Sequence, residues 1–575
     1  MSAFSIADLL VKTLADAGVE RIWAITGDSL NGFNDSIRRD GRIRWMHVRH
    51  EESAAFAAGA DAAITGKIAV CAGSSGPGNL HLINGLYDCK RNHVPVLAIA
   101  SHIPASEIGL NYFQETHPEL IFRECSDFVE LISSEKQMPE LLQRALNVVV
   151  GQRGVAVLVL PGDISTRPVL DPKAGEWVPP RLPRVVPTEE DLTTMQLLLS
   201  RDKNVTILAG SGCAGAHDEV VALAAKLNAP IVHAFRGKEY LEWDNPYDVG
   251  MTGLIGFSSG YHAMMNADTL LMLGTDFPYR MFYPKGKTVI QVDVNPQALG
   301  RRTTLTLGVL ADVKETLTAL LPRLEQNTDR TFLDNALDNY AKARQGLDDL
   351  ATPTDDGKPL HPQYIMKVVS ELADDDAIFT ADVGSPVVWA ARYLKMNGKR
   401  RLLGSFNHGS MANAMLQAMG AQAAAPDRQV ISMSGDGGLT MMMGELLTLV
   451  QMQLPVKIIV HNNASLGFVE LEMKAMGYLD YAVDLKNPNF AAMAQAMGLT
   501  GYRVENAKDL RPTLEAAFAH PGPVLVDVVT EAQELIMPPH IDLEQVKGFG
   551  LYMMKAVLNG RGNELIELGE VNLLR

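Results

Sequence analysis

Four consecutive residues, Gly435-Asp436-Gly437-Gly438, set a hard carboxylate oxygen among glycines. They follow the apolar run VISMS and precede a stretch predicted to turn helical near Thr440. A glycine turn in that position lets the main chain approach a diphosphate, its N–H groups can hold phosphate, and the carboxylate suits Mg²⁺. Turns at strand ends are often built from Gly and Asp, so the tetrapeptide alone specifies little. Asn462-Asn463 narrows the reading, because 24 residues separate it from Gly437 and it lies at the end of the next strand-like run, VKIIV. Adjacent parallel strands would bring both loops to one sheet edge, where Asp436 and the Asn463 amide oxygen can meet on one octahedral ion.

Positioning such loops requires parallel sheets. Short apolar runs, VAVLVL (155–160), VTILA (205–209), TLLMLG (269–274), VIQVDV (289–294) and VKIIV (456–460), alternate with helix-like stretches, which predicts an α/β protein with crossover helices. Proline-rich joints at 177–190 and 351–363 divide the chain into thirds, and MPPH (537–540) sets off a tail. Segments 68–100 and 430–460 repeat one order: strand, glycine turn, helix, then a Pro-Val pair opening another strand. Gly76 to Pro95 spans 19 positions and Gly437 to Pro455 spans 18. The first and third domains are therefore expected to share a fold that the middle one lacks.

The middle third carries a literal G-x-G-x-x-G at Gly210–Gly215 after VTILA. No acidic residue ends a second strand at the place a nicotinamide dinucleotide site needs, since that stretch reads NAPIVHAFRGKEY, so NAD is not predicted.

Composition sets the outer bounds. The 575 residues are 47% hydrophobic and 21% charged, which excludes pervasive disorder. A net charge of −16 repels phosphate backbones, so no nucleic-acid partner is expected. Cys71, Cys89, Cys125 and Cys213 form no Cys-x-x-Cys pair and fit a reducing compartment. Asp8 and Asp16 interrupt the N-terminal apolar pattern, which reads as an amphipathic helix and not as an export signal. No segment offers about 20 consecutive apolar residues for a membrane span.

GDG, 24 residues, then NN in matched strand contexts resembles the thiamine diphosphate signature. Over nearly the whole length the sequence resembles the thiamine diphosphate-dependent pyruvate oxidase and acetolactate synthase family, most of all its bacterial quinone-reducing members. The segments that carry the likeness are RIWAITGDSLNGFNDSI (21–37), RHEESAAFAAGA (49–60), CAGSSGPGNLHLINGLYDC (71–89), YFQETHP (112–118), MTGLIGFSSG (251–260), FNHGSMANAM (406–415) and NNASLGFVELEMKA (462–475). The family implies three doubly wound parallel-sheet domains: pyrimidine-binding (1–182), FAD-binding (183–335) and diphosphate/Mg-binding (336–531). A C-terminal amphipathic, membrane-binding tail (532–575) follows.

By that resemblance Asp436, Asn463 and the Ser465 carbonyl hold Mg²⁺. Gly409, Ser410, Gly437, Gly438, Ala464, Leu466, Gly467 and Val469 line thiamine diphosphate, with Met411 wedged between its rings. Glu51 bonds the pyrimidine, shares a proton with it and reaches the site of another subunit; Glu52 is its exposed neighbour. FAD falls to Gly212, Arg236, Thr252, Gly253, Leu254, Ile255, Gly274, Thr275, Asp276, Phe277, Pro278 and Asp293. Phe113, Gln114, Phe468 and Glu472 surround the reaction centre.

The implied activity is decarboxylation of pyruvate to acetate and CO₂, with two electrons passing through FAD to a membrane quinone such as ubiquinone. The implied assembly is a homo-oligomer, a tetramer of dimeric active-site pairs, in the cytoplasm on the inner face of the cell membrane. An acetolactate synthase-type carboligase, a phosphate- and O₂-dependent oxidase and a non-catalytic regulatory relative are the alternatives. The tail favours the quinone: Val546, Phe549, Met553 and Val557 share a helical face, and Lys547, Lys555 and Arg561 would meet anionic lipid.

Overall fold

The computed structural model describes residues 4–171, 176–534, 536, 543–559 and 561–572. The first sheet comprises β1 (Arg21–Ala24), β2 (Arg44–His47), β3 (Ala69–Gly73), β4 (Val96–His102), β5 (Phe128–Leu131) and β6 (Val155–Pro161), ordered β2-β1-β3-β4-β6-β5. The second comprises β7 (Val205–Ala209), β8 (Ile231–His233), β9 (Asp248–Met251), β10 (Thr269–Leu273), β11 (Thr288–Asp293) and β12 (Leu307–Leu310), ordered β12-β11-β10-β7-β8-β9. The third comprises β13 (Ile378–Ala381), β14 (Arg401–Gly404), β15 (Val430–Gly435), β16 (Lys457–Asn462), β17 (Thr500–Val504) and β18 (Val524–Val529), ordered β14-β13-β15-β16-β18-β17.

Every pairing within the three sheets is parallel. Counted along each domain, the first and third sheets share the order 2-1-3-4-6-5, and the middle one reads 6-5-4-1-2-3. The three are doubly wound α/β domains, two alike and one different. Central strands such as β4 and β6 are buried at every position, as sheets with helices on both faces require.

The N-terminal amphipathic run forms the helix Ile6–Asp16, where Asp8 closes a capping box with Ser5. The helix predicted near Thr440 begins earlier: Asp436 is its first residue, because Gly435 adopts the extended cap conformation. The joint at 351–361 lacks helix and strand, whereas the boundary expected at 335 falls inside the unbroken helix Thr331–Leu350. Ala336, Leu337 and Tyr340 of that helix pack on the middle-domain core, which therefore keeps it. The break expected at 537–540 lies outside the described residues. Among the described residues no helix is long and apolar enough to cross a membrane.

One apolar cluster spans the first and third domains. At its centre the helix Glu51–Thr65 crosses the helix Asn413–Ala424, and both are rich in alanine and buried along nearly their whole length. Small residues permit close backbone approach: a Cβ on Gly420 would stand 2.0 Å from the Ala57 carbonyl oxygen. Gly420→Ala should force the helices apart and cost about 1–3 kcal/mol through overpacking. An unchanged urea unfolding midpoint would mean that the crossing relaxes freely.

Candidate active site

Adjacent strands β15 and β16 are in register, with Gly435 opposite His461, so Asp436 and Asn463 leave the third sheet at one edge. Asp436 is buried. Its Oδ1 accepts the Gly437 N–H at 2.8 Å, and its Oδ2 accepts the Ala464 N–H and Asn487 Nδ2, each at 2.7 Å. Burial pushes its pKa up against these bonds. Asn463 Oδ1 accepts the Ser465 N–H at 3.2 Å, and a Cβ on Gly467 would meet Asn463 Nδ2 at 2.7 Å. One carboxylate, one amide and one main-chain carbonyl form a hard-oxygen set suited to Mg²⁺. No three His, Cys, Asp or Glu side chains cluster as metal ligands among the described residues.

The glycines form a cradle that side chains would fill. A Cβ on Gly438 would lie 2.3 Å from Asp382 Oδ2, and one on Gly437 would lie 3.3 Å from Met411 Cε. Asp382 follows β13, accepts the Ala414 N–H at 2.9 Å and the Gly435 N–H at 3.3 Å, and is pushed by burial to a pKa of about 7. It thereby ties the start of the helix Asn413–Ala424 to the glycine turn, and Gly409 in the preceding loop sits at φ +83°. A cleft beside the turn also reaches His461, Leu466, Phe468 and Val469. The His461 ring is buried, its nitrogens have no hydrogen-bond partner among the described residues, and burial pulls its pKa to about 4.

The residues expected at the pyrimidine end gather in the first domain. Glu51 is buried at the start of its helix, with Oε2 2.9 Å from His81 Nδ1 and Oε1 so close to Gly78 that a Cβ there would stand 2.9 Å away. Gln114, at φ +63°, accepts the Ser75 hydroxyl at 2.9 Å and backs Gly76, while Phe113 is exposed. Glu52 is half-buried, not exposed as expected: Asn84 Nδ2 donates to it at 2.8 Å and to Ser410 Oγ at 3.0 Å. Among the described residues no hydrogen bond joins Glu51 to Asp436 or Asn463, so two clusters exist, one in each outer domain.

Three models of the thiamine pyrophosphate enzyme family match in succession: the N-terminal TPP binding domain over 4–120, the central domain over 192–320 and the C-terminal TPP binding domain over 382–528. A Bacillus subtilis protein, YdaP, provisionally named as thiamine pyrophosphate-containing, is 35% identical over 97% of both chains. The chain belongs to the thiamine pyrophosphate enzyme family. Pyruvate oxidase of Lactiplantibacillus plantarum is 30% identical over 90% of this chain and 87% of its own, and chloroplastic acetolactate synthase of Arabidopsis thaliana is 29% identical over 92% and 82%.

In this thiamine pyrophosphate enzyme the strand order of the middle sheet reverses between β7 and β10, the place where α/β sheets open a ligand crevice. Backbones touch there: the Gly212 N–H donates to the Gly274 carbonyl at 2.9 Å, and Gly274 sits at φ +54° with Thr275 beside it. Asp293 ends β11, with its pKa raised by burial. Thr252 is buried, Gly253 lies on the Phe277 ring, Leu254 is half-buried and the Ile255 carbonyl accepts Arg392 Nε at 3.1 Å. Two of the expected flavin residues are engaged elsewhere. Arg236 points its guanidinium at the Asn92 carbonyl of the first domain, and the Asp276 carboxylate is held by Arg301 and Arg302 at 2.7 and 2.8 Å, leaving exposed Pro278 on the same loop.

The helix Gly467–Ala475 carries half-buried Phe468 on the third-domain core and exposed Glu472, whose charge adds to the burial that raises the pKa of Tyr279 in the middle domain. Its outer side receives the C-terminal helix Leu543–Leu558: Tyr552 is fully buried, with Lys474 Nζ 5.4 Å from its ring. Val546, Met553 and Val557 are exposed, as the amphipathic reading expects, and Phe549 is half-buried. Lys555 and Arg561 are not free for lipid, because Lys555 donates to the Gly477 carbonyl at 2.7 Å and Arg561 pairs with Asp480 at 2.6 Å. Sequence reading missed Asp382, Asn487 and His461. Asp382 was discoverable as an acid just beyond a strand, whereas Asn487 lies in irregular chain with no pattern to flag it. Asp436→Ala should lower Mg²⁺-dependent affinity for thiamine diphosphate by more than about 100-fold, since losing even outer-shell partners costs 10–100-fold. Calorimetric titration with wild-type affinity would put the metal elsewhere.

Proposed function

We propose that this enzyme decarboxylates pyruvate and passes two electrons through FAD to a membrane quinone such as ubiquinone, releasing CO₂ and acetate, with water supplying the second acetate oxygen. One observation carries the reading: the helix Gly467–Ala475 leaves the metal loop, lines the cleft with Phe468 and carries Glu472 near enough to Tyr279 of the middle domain for its charge to add to the burial that raises that phenol's pKa. Decarboxylation and electron transfer then share one wall. When bound, thiamine diphosphate supplies the nucleophilic carbon and electron sink, Mg²⁺ anchors its diphosphate and FAD accepts the electrons.

The chain's own groups do the rest. Asp436, Asn463 and the Ser465 carbonyl hold the metal, and Gly437 and Gly438 leave room for the diphosphate. Glu51 holds a proton at the pyrimidine nitrogen, steadied by His81, and Phe113, Gln114, Phe468 and Glu472 orient pyruvate and exclude water. Gly212, Gly274, Thr275 and Asp293 head the FAD contacts. By the resemblance Glu51 serves the site of a partner subunit, so pairs are the smallest active unit, and a tetramer of two pairs is the proposed assembly.

The exposed apolar residues of Leu543–Leu558 support a peripheral contact on the inner face of the cell membrane, where quinones dissolve. Each could contribute about 1.5–3 kcal/mol if fully buried. A second reading has the names of the relatives in its favour: a carboligase like acetolactate synthase, or an oxidase using phosphate and O₂. Retained Glu51, Asp436 and Asn463 weigh against a non-catalytic subunit.

Anaerobic mixing with pyruvate should bleach the flavin, and added quinone should restore its absorbance. An unbleached flavin with acetolactate formed would establish the carboligase, and recovery with O₂ and phosphate but not quinone the other oxidase. Glu51→Gln should retain FAD and lose about 10²–10⁴ in rate, as removal of a positioned acid–base group does. Truncation before Asp542 should abolish co-sedimentation with anionic liposomes while dye reduction by pyruvate persists; equal sedimentation of both proteins would make the tail a packing element only.

A further inference from the structure

The buried carboxylate of Glu445 has no part in the chemistry described so far. It ends the short 3₁₀ turn Met443–Glu445 that follows the glycine-turn helix of the third domain, and it is 1% exposed. Its Oε1 accepts the main-chain N–H groups of Arg49 and His50, both at 2.9 Å, across the interface with the first domain. Its Oε2 accepts the Thr448 hydroxyl at 2.5 Å. Burying a carboxylate is costly unless donors surround it, and these three do. Glu51 is the next residue after His50.

Three restraints already act on the Glu51 side chain or its surroundings. Oε1 is confined by Gly78, Oε2 meets His81, and the His81 ring stacks on the His50 ring with centroids 4.2 Å apart. The remaining freedom of Glu51 is where its helix starts, and that is the backbone Glu445 grips. The same grip holds His50, whose ring backs the His81 that holds Glu51. Arg49 adds a parallel tie, donating from its guanidinium to Gln451 Oε1 at 2.8 Å.

We propose that Glu445 is a positioning residue for Glu51, setting from the third domain the carboxylate geometry at the pyrimidine end. The proposal rests on the function assigned to Glu51 above. A misplacement of about 1 Å at a reacting group costs on the order of 10²-fold, so loss of this grip should be visible without loss of the fold. Glutamine at the same position keeps an oxygen that can accept both N–H groups, whereas alanine leaves the two amides buried and unpaired.

The test uses the FAD-loaded enzyme with thiamine diphosphate and Mg²⁺ and follows hydrogen–deuterium exchange at the cofactor C2 by quenched-flow NMR. Calorimetric cofactor affinity and amide exchange of segment 49–51 in the thiamine-free protein are measured alongside. Glu445→Ala should slow C2 exchange about 10–100-fold and speed amide exchange at 49–51. Glu445→Gln should restore both, with diphosphate-end affinity unchanged throughout. In the Glu51→Gln background Glu445→Ala should slow nothing further, because it acts through Glu51. Additive losses, a wild-type C2 rate in Glu445→Ala or unaltered amide exchange would overturn the proposal. If Glu445→Ala does not fold, Thr448→Val, which removes the donor to Oε2, is measured in its place, and additivity with Glu51→Gln is again the overturning result. A wild-type rate in Glu51→Gln itself would sink the role given to Glu51, and this inference with it. A slow Glu51→Gln beside a fast Glu445→Ala would sink the positioning role alone.

Discussion

The crossing of the helices Glu51–Thr65 and Asn413–Ala424 is the contact on which the rest of the molecule depends. Each is apolar around nearly its full circumference, so neither could face water, and each finds its cover in the other domain. The Gly420 approach to Ala57 makes the two outer domains one packed body with a continuous core. Everything at the front of that body, including the start of the Glu51 helix and the loop that holds Ser410 and Met411, inherits its position from this crossing.

Around the crossing the protein buries charge with unusual frequency, and each case is stabilised by named donors. Asp382 and Asp436 take main-chain N–H groups from the turns they join, and Glu445 takes two from the opposite domain. Glu470 accepts the Ser465 hydroxyl and the Lys474 ammonium, both at 2.6 Å, behind the metal loop. Such groups add little net stability compared with apolar packing, but a wrong register would leave them unpaired. They select one arrangement of loops whose glycines have no side chains to do so.

The helix Gly467–Ala475 joins this packed centre to the middle domain and the C-terminal helix. On one side the charge of Glu472 reaches Tyr279 of the middle domain, and on the other the C-terminal helix docks through Tyr552 and the close approach of Gly548 to the Ala475 carbonyl. The tail keeps Lys555 and Arg561 engaged and Val546, Met553 and Val557 outward while docked, so binding of that face to another surface requires no exposure of the Tyr552 side.

The sequence alone determined what is local and periodic. The strand runs, the duplicated strand–turn–helix order, the spacing from Asp436 to Asn463 and the break before residue 189 were all legible, because β-branched runs and glycine turns act within a few residues. Tertiary structure decided the rest. That the Thr331–Leu350 helix belongs to the middle domain follows from which core its apolar face meets. That Asp276 is spent on Arg301 and Arg302, and Lys555 on the Gly477 carbonyl, depends on partners 25 to 78 residues distant. Asp382, Asn487, His461 and Glu445 carry no motif of their own; their roles arise only when separate strand ends and two domains converge, because a hydrogen bond acts over about 3 Å of space and not over any set interval of sequence.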